Sequence, residues 1–376
     1  MTTAAGPVGD ADDLLPMDRA VRLDRLRRRL ADDELDALVV TKPQNIRWLT
    51  GFTGSAGTAV VTEDELTVIT DDRYEIQVAQ QLEVAGVSAT VAIDRDRSGP
   101  VGAGVGTAAR VGLEAAHLTW DLARQVERWL DGRDVVATVD LVEALRQDKD
   151  AGEIARLRRA AGIADAALAL LAPSLVVGRT ERAIARELDR LMIDLGADGL
   201  SFPTIVAAGP NSAKPHATPS DRPLAPGDAV VMDFGAAVDG YGSDMTRSFL
   251  LDPVADEVLD RYRAVEAAQA AGVATVVAGV EERTVDAACR DLLTERGLGE
   301  AFVHGTGHGI GLEIHEQPFL STRATGSLRA GQVVTVEPGV YLPGDGGIRI
   351  EDSVLVTDDG GVALTGAPKD HLVPTD

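Results

Sequence analysis

Three histidines and four glycines are concentrated in HGTGHGIGLEIHE, residues 304–316. His304 and His308 have the four-residue spacing of one helical face, but each intervening glycine would destabilise a helix by ~1 kcal/mol relative to alanine. His315 is followed by Glu-Gln-Pro-Phe, without the second histidine of a zinc-protease H-E-x-x-H helix. The segment is therefore predicted to be a loop or a short strand whose backbone passes close to another part of the molecule.

Two aspartates interrupt an apolar hairpin in DAVVMDFGAAVDGYGSDMTRSFL. Asp239-Gly240 is a strong signal for a two-residue type I′ turn. With that turn Asp244 opposes Gly235, so Asp233 and Asp244 share one face of the sheet, with side-chain bases roughly 7–8 Å apart. Aspartate is a poor strand former and an unpaired buried charge is costly, so both carboxylates are predicted to have a function.

A second hairpin, GQVVTVEPGVYLPGDGGIRIEDSVLV, also has an acid within each apolar run, Glu337 and Glu351. A three-residue loop at 343–345 would place them opposite each other, whereas a two-residue loop would place them on opposite faces. Four converging carboxylates would repel each other, and two divalent cations would cancel that repulsion. One imidazole completes such an oxygen-rich dinuclear set, and His304 and His308 compete to supply it. The nearby glycines would let their backbone approach the site.

The elements before this region predict an α/β domain over residues 1–148, with a tail at 1–15. Helices are expected over 16–34, 43–49, 71–82 and 119–130, and strands over 36–41, 57–62, 66–70, 87–93 and 135–142. Trp48, Trp120 and Trp129 are assigned to its core. Gly104, Gly106 and Ala109 match a loose dinucleotide-binding pattern, but they follow a Pro/Gly-rich segment and are predicted to be a loop.

The remaining residues, 149–376, are predicted to form an α+β domain. A charged segment, RQDKDAGEIARLRRA, opens its first helix. Helices and hairpins are grouped rather than alternating, which is typical of α+β architecture. The helices are expected over 151–172, 179–195, 254–278 and 283–296.

Composition and charge exclude several classes of function. The formal charge of −24 argues against a nucleic-acid partner, and the one dense basic run, RLDRLRRRL at 22–30, fits the solvated face of a helix. No apolar run approaches the roughly 18 residues of a membrane span, and the acidic N-terminus does not resemble a signal peptide. The single cysteine, Cys289, is expected to be a buried, unreactive thiol. A cytoplasmic protein without a membrane or nucleic-acid partner is therefore expected.

Five motifs follow one another in the second half of the chain: VMDFG (231–235), GSDMTR (242–247), HGTGHGIG (304–311), TVEPGVY (335–341) and GIRIEDSV (347–354). With these motifs the second half resembles the pita-bread metallopeptidases, the group of aminopeptidase P, prolidase and methionine aminopeptidase. The N-terminal half, notably NIRWLTGFTGSAG and ITDDRYEIQVAQQ, is similar to the creatinase-like domain of the proline-specific members. His117 and His371 match none of these motifs and are taken as structural.

The resemblance implies two divalent metal ions, Mn²⁺ in the first place, with Co²⁺ or Zn²⁺ as alternatives. By this resemblance Asp233 binds one ion, and Asp244 and Glu351 bridge both ions. His308 and Glu337 complete the second ion. Water activated by the ions would be the nucleophile, with Glu337 as general base and later as acid for the leaving nitrogen.

The resemblance assigns three histidines to the substrate, and the spacing along a strand adds Arg349. His304 and His315 would polarise the scissile carbonyl and steady the tetrahedral intermediate. His216 would reach the substrate from the opposite wall. Arg349 lies two residues before Glu351, on the same strand face, and would orient that carboxylate or the substrate.

The leading function implied is a metallo-aminopeptidase, an aminopeptidase P, that acts on peptides with proline at the second position. A homodimer or a higher homo-oligomer is expected. The closest alternative is a prolidase restricted to Xaa-Pro dipeptides, which shares the metal motifs; FTGSAG and DDRY favour aminopeptidase P. A metal-free creatinase-like hydrolase or a degenerate binding module is disfavoured, because all five ligand positions are present.

Overall fold

A computed structural model of the chain describes residues 14–369 and 372–373. They form two compact units, Pro16–Arg146 and Gln147 onward, and Leu14 and Leu15 belong to the second unit. Leu14 packs against the core of that unit, and the Leu15 carbonyl accepts a hydrogen bond from Arg156. Residues 1–13 of the predicted tail lie outside the described residues, and so does His371.

The first unit is an α/β domain, as predicted. Its six strands form one mixed sheet in the order β4-β3-β2-β1-β5-β6, in which β1–β2 and β2–β3 are antiparallel and the other pairs are parallel. In chain order the elements are α1 Arg19–Asp32, β1 Ala37–Val40, α2 Pro43–Thr50, β2 Gly57–Thr62, β3 Leu66–Thr70, α3 Glu75–Ala85, β4 Thr90–Ile93, α4 Ser98–Gly104, β5 Arg110–Glu114, α5 Trp120–Trp129, β6 Asp134–Thr138 and α6 Leu141–Arg146.

Three predictions for this unit are wrong. The Pro/Gly-rich segment before Gly106 forms α4, because Val101 at its centre is fully buried and tertiary packing outweighs weak helix propensity. The strand predicted over 135–142 ends at Thr138, since residues 141–146 are helical. Trp120 is 81% exposed instead of lying in the core, with the Arg124 guanidinium 5.9 Å from its ring centroid.

The second unit is an α+β domain, as predicted. Its main sheets have the orders β20-β12-β9-β8 and β14-β13-β15-β18-β19, beside a smaller sheet β11-β10-β7 and the hairpin β16–β17. No helix within residues 14–369 combines the length and apolarity needed to cross a bilayer. The elements are α7 Ala151–Leu171, α8 Glu181–Asp194, β7 Gly199–Leu200, β8 Ile205–Ala208, β9 Ala229–Phe234, β10 Ala236–Val238, β11 Tyr241–Gly242, β12 Met245–Leu251, α9 Asp256–Thr275, α10 Glu282–Glu295, β13 Gly307–Gly309, β14 Glu316–Leu320, β15 Val333–Val336, β16 Gly339–Leu342, β17 Gly346–Arg349, β18 Asp352–Thr357, β19 Gly360–Ala363 and β20 Leu372–Val373.

Two hydrophobic cores support the sheets of the second unit. In the first core, α7 and α8 pack against β9 and β12, for example Leu188 against the cluster that contains Met232. In the second core, α9 and α10 pack against β15 and β18, with Cys289 fully buried beside this cluster of valines and leucines. The prediction of a buried thiol is confirmed. Both cores brace the strands that carry the acidic residues.

Candidate metal centre

The hairpin between β9 and β12 carries Asp233 and Asp244. At its tip Asp239 and Gly240 have φ angles of 47° and 76°, the left-handed conformations that a type I′ turn requires. The pairing keeps one register on both sides of this turn, and it is the predicted register. Asp244 therefore lies opposite Gly235, and the two aspartates point toward one site.

The hairpin between β15 and β18 carries Glu337 and Glu351. Leu342 pairs with Gly346, so residues 343–345 form a three-residue loop. The ladders before and after the two glutamates share the same register, which places Glu337 opposite Glu351. The three-residue loop is thus confirmed and the two-residue alternative is excluded.

Three carboxylates, those of Asp233, Asp244 and Glu351, each offer one oxygen within 4.8 Å of the other two. Arg349 donates to Oδ2 of Asp233 at 2.5 Å, whereas Oδ1 is buried with no hydrogen-bond partner among the described residues. Thr246 donates to Oε2 of Glu351 at 2.7 Å, and Oε1 is likewise buried without a partner in the described chain. Each of these two carboxylates has one oxygen held by the protein and one left for a cation.

The charge of this cluster also fits divalent cations. Burial and the facing carboxylates raise the pKa values of Asp244 and Glu351 well above their ordinary range. Burial raises the pKa of Asp233 as well, although Arg349 opposes the shift. Without cations the cluster would bind protons, and divalent ions would add positive charge to that of Arg349.

His308 and Glu337 lie beside the three carboxylates. Nε2 of His308 is 3.3 Å from Oε1 of Glu337 and 3.6 Å from Oδ2 of Asp244. Burial disfavours the ionised form of Glu337, but the hydrogen bond and charge of His308 outweigh it and lower the Glu337 pKa to about 2. Once His308 has given up its proton, its imidazole nitrogen and the Glu337 carboxylate can complete an oxygen-rich set.

The glycines around His308 allow neighbouring strands to pack closely. A Cβ at Gly307 would lie 1.9 Å from the Thr335 carbonyl oxygen, and one at Gly309 would lie 2.3 Å from the Gln317 carbonyl oxygen. The sequence predicted that this backbone would closely approach the metal site itself. The structure shows that β13 approaches β15 and β14 and that the His308 side chain reaches the carboxylates.

His304 has different surroundings from His308. Its Nδ1 lies 2.7 Å from the Gly305 carbonyl oxygen and its Nε2 lies 2.9 Å from the Tyr341 hydroxyl. Burial lowers the pKa of His304, so the ring is neutral near pH 7. Nδ1–H then donates to the carbonyl and Nε2 accepts from the tyrosine. Of the two competing histidines, the structure places His308 among the carboxylates.

Arg349 is 3% exposed and connects several parts of the site. It was predicted to orient Glu351 or the substrate, but its carboxylate partner is Asp233. Its guanidinium donates to Asp233 at 2.5 Å, to the Thr246 hydroxyl at 2.9 Å, to the Tyr341 hydroxyl at 2.9 Å and to the Pro215 carbonyl at 3.1 Å.

Tyr341 and Thr246 are site residues that the sequence analysis did not single out. Both lie inside the quoted motifs, and both use a hydroxyl to hold a charged or ionisable group. The available signal for Tyr341 was its place in an apolar hairpin, since a buried tyrosine hydroxyl needs a hydrogen-bond partner. Thr246 gave a weaker signal, because threonine is common in strands.

One cavity of about 590 Å³ brings all the predicted site residues together. His315 lies on its wall with its ring centroid 4.3 Å from that of His308, and burial lowers the pKa of His315. Phe202, Ile205 and Phe319 provide an apolar wall. The predicted residues that line the cavity are His216, Asp233, Asp244, His304, His308, His315, Glu337, Arg349 and Glu351.

Comparison with known proteins gives two family matches. Residues 155–358 match the metallopeptidase family M24, and residues 22–147 match the creatinase/prolidase N-terminal domain. A Xaa-Pro dipeptidase of Pyrococcus furiosus is 30% identical, over 93% of this chain and 99% of its own length.

Two solved structures have folds similar to that of this chain. A Xaa-Pro dipeptidase from Bacillus anthracis has a TM-score of 0.90 and 36% identity, over 95% of this chain and all of that one. An X-Pro aminopeptidase from Thermotoga maritima has a TM-score of 0.85 and 33% identity, over 92% of this chain and all of that one. The fold class expected from the sequence, a creatinase-like domain followed by a pita-bread domain, is confirmed. The chain belongs to metallopeptidase family M24.

Proposed function

We propose that the protein is a dinuclear-metal peptidase that hydrolyses Xaa-Pro bonds, with Xaa-Pro dipeptides as its preferred substrates. The observation that carries the proposal is the acidic cluster of Asp233, Asp244 and Glu351, each with an oxygen within 4.8 Å of the others, beside His308. It lies in a chain similar to proteins that bear the names Xaa-Pro dipeptidase and X-Pro aminopeptidase.

The proposed metal ligands are Asp233, Asp244, His308, Glu337 and Glu351. Hard oxygen donors with one imidazole suit Mn²⁺, and Co²⁺ or Zn²⁺ fit the same set. When bound, two divalent ions would lower the pKa of a water molecule and stabilise negative charge on the scissile carbonyl oxygen.

The proton transfers are assigned to Glu337. Its carboxylate lines the cavity with Oε1 held by the Thr335 hydroxyl at 3.1 Å, and we infer that it accepts a proton from the attacking water. The same carboxyl group would then deliver that proton to the leaving proline nitrogen. Proton transfer by one positioned group is expected to contribute about 10²–10⁴ to the rate.

The substrate contacts are assigned to the histidines on the wall of the cavity. Both ring nitrogens of His304 are engaged, by Gly305 and Tyr341, so His304 has no N–H left for a substrate carbonyl. We therefore propose that His315 and His216 contact the substrate. His304 instead holds the Tyr341 hydroxyl, which also binds Arg349.

We propose a preference for dipeptides in place of the aminopeptidase P activity expected from the sequence. The names of the similar proteins do not support aminopeptidase P as the first choice, and the dipeptidase alternative fits them better. Aminopeptidase activity remains the second candidate because of the Thermotoga protein. The deciding experiment compares kcat/KM of the Mn²⁺-loaded protein for Leu-Pro, Leu-Pro-Gly-Gly and Leu-Ala. Faster hydrolysis of Leu-Pro supports the proposal, whereas faster hydrolysis of the tetrapeptide supports an aminopeptidase, and equal hydrolysis of Leu-Ala contradicts proline selectivity.

The domain bounds, the assembly and the cellular location are also proposals. We propose residues 1–148 as the creatinase-like domain, residues 149–376 as the catalytic domain, a homodimer or higher homo-oligomer as the assembly and the cytoplasm as the location. Light scattering of the purified protein tests the assembly, and a single-chain mass would contradict it. Fractionation of cells tests the location.

A further inference from the structure

The segment 209–219 carries His216 to the mouth of the cavity. His216 is exposed and its imidazole makes no hydrogen bond among the described residues. The position of this ring is therefore determined by the backbone that bears it. Any group that holds the two ends of the segment also determines where the imidazole lies.

Glu181 holds both ends of this segment. It is the first residue of α8, is 1% exposed, and forms no ion pair within the described chain. Its carboxylate oxygens accept hydrogen bonds from the Ala208 N–H at 2.8 Å, the Asn211 amide at 3.1 Å, the Ser220 N–H at 2.9 Å and the Ser220 hydroxyl at 2.6 Å. Ala208 and Asn211 stand at the start of the segment and Ser220 follows its end, so one carboxylate closes the loop.

The middle of the segment is attached separately to the hairpin β16–β17. The Gly347 N–H donates to the Ser212 hydroxyl at 2.8 Å, and Arg349 donates to the Pro215 carbonyl at 3.1 Å. These contacts tie the residues just before His216 to the strand that carries Arg349. Neither of these two bonds reaches the ends of the segment, and Glu181 holds those ends through Ala208 and Ser220.

A role as a helix cap does not account for Glu181. The N-cap of α8 is Thr180, whose hydroxyl accepts from the Ala183 N–H at 3.2 Å. Within the part of the chain that the structure describes, the side-chain hydrogen bonds of Glu181 instead go to residues 208–220. The helix N-terminus does favour a negative charge at this position.

We propose that Glu181 is a positioning residue for His216. Its carboxylate fixes residues 208–220 so that the imidazole meets the substrate in the cavity. The role in catalysis rests on the proposed Xaa-Pro peptidase function, whereas the fixing of the loop does not.

A double-mutant cycle with Glu181→Gln, His216→Ala and the combined variant tests the proposal, because coupled residues are non-additive. A displacement of about 1 Å can cost up to about 10²-fold in rate, so Glu181→Gln should lower kcat/KM for Leu-Pro by about 10- to 100-fold. In the His216→Ala background the same substitution should change kcat/KM by less than about 3-fold. Equal factors in both backgrounds would overturn the proposal, since a general loss of structure acts regardless of His216.

The matched control is Glu187→Gln, the same substitution on the same helix. Glu187 binds Arg179 and makes no hydrogen bond with the segment among the described residues, so kcat/KM should stay within about 2-fold of the parent protein. Bound Mn²⁺ should be unchanged in all variants, because none of these positions is a proposed ligand.

Hydrogen exchange followed by mass spectrometry separates the loop from the activity. Glu181→Gln should accelerate exchange in peptides that cover 209–219 and leave α9 and α10 unchanged. Unchanged exchange in 209–219 would overturn the proposal whatever the activity. If the parent protein hydrolyses no Xaa-Pro peptide but exchange in 209–219 increases, the proposed function fails while the fixing of the loop by Glu181 stands.

Discussion

Nε2 of His308 lies 3.3 Å from Oε1 of Glu337, in the same cavity as three further carboxylates. His304, only four residues earlier, has both ring nitrogens bound to Gly305 and Tyr341. Four-residue spacing would bring the two imidazoles together on a helix, but this segment is not helical, so they meet different partners. Nδ1 of His308 also meets a backbone carbonyl, that of Gly309 at 3.1 Å, so the two rings differ in that Nε2 of His308 faces carboxylates whereas Nε2 of His304 faces a hydroxyl.

Replacement of each histidine should therefore have a different effect on metal binding. His308→Ala should lose bound Mn²⁺, because a proposed ligand is removed. His304→Ala should keep the metal content of the parent protein and lower kcat through loss of its contact with Tyr341. Metal analysis of both purified variants is the measurement; retention by His308→Ala with loss by His304→Ala would show that the two roles are reversed.

Tyr341→Phe should impair turnover without releasing metal. The substitution removes the hydroxyl that accepts from Arg349 at 2.9 Å and donates to His304. Leaving buried partners unsatisfied typically costs about 1–3 kcal/mol, so a fall in kcat of about 10-fold is expected. Tyr262→Phe is the control, because its hydroxyl binds the Lys369 carbonyl. Equal kcat values for the two variants would contradict a role of Tyr341 in the site.

Arg247→Met should destabilise the second unit. The Arg247 side chain is 2% exposed and donates to Asp352, itself 5% exposed, at 2.8 Å. Removing one partner of a buried ion pair typically costs about 3–5 kcal/mol in the free energy of unfolding. The control is Arg190→Met, whose exposed pair with Asp194 should contribute no more than about 1 kcal/mol. Urea unfolding measures both, and similar losses for the two variants would refute the expectation.

The Cys289 thiol should resist alkylation in the native protein. Burial raises the pKa of this thiol to about 12, and the reactive thiolate forms only as the pH approaches that value. Native protein treated with iodoacetamide at pH 8 should stay unmodified, whereas protein in urea should gain one adduct. Rapid labelling of the native form would mean that the thiol is accessible.

Much of the site follows from local turn chemistry. Asp239-Gly240 specifies a type I′ turn, and that turn alone places Asp233 and Asp244 on one face. For Glu337 and Glu351 the sequence left two loop lengths open, and the pairing of Leu342 with Gly346 decides between them. Short-range signals therefore predicted the register, but the choice of loop length required the folded sheet.

Other features depend on contacts between distant segments. The sequence does not show that Arg349 binds Asp233, because 116 positions separate them. The exposure of Trp120 and the helix around Val101 also depend on which face meets the sheet. The glycines near His308 predicted a close approach correctly, but which strand comes close is a tertiary property. Sequence patterns thus did not determine which distant residues contact each other.

The most direct test of the account is kcat/KM for Leu-Pro measured before chelation, after exhaustive chelation and after addition of Mn²⁺. The acidic cluster predicts that activity disappears with the metal and returns with Mn²⁺. Glu351→Ala should not recover, because Oε1 of Glu351, which is buried without a partner among the described residues, is one of the oxygens proposed to bind the ions. Full activity of the metal-stripped protein, or full recovery of Glu351→Ala, would contradict the proposed metal centre.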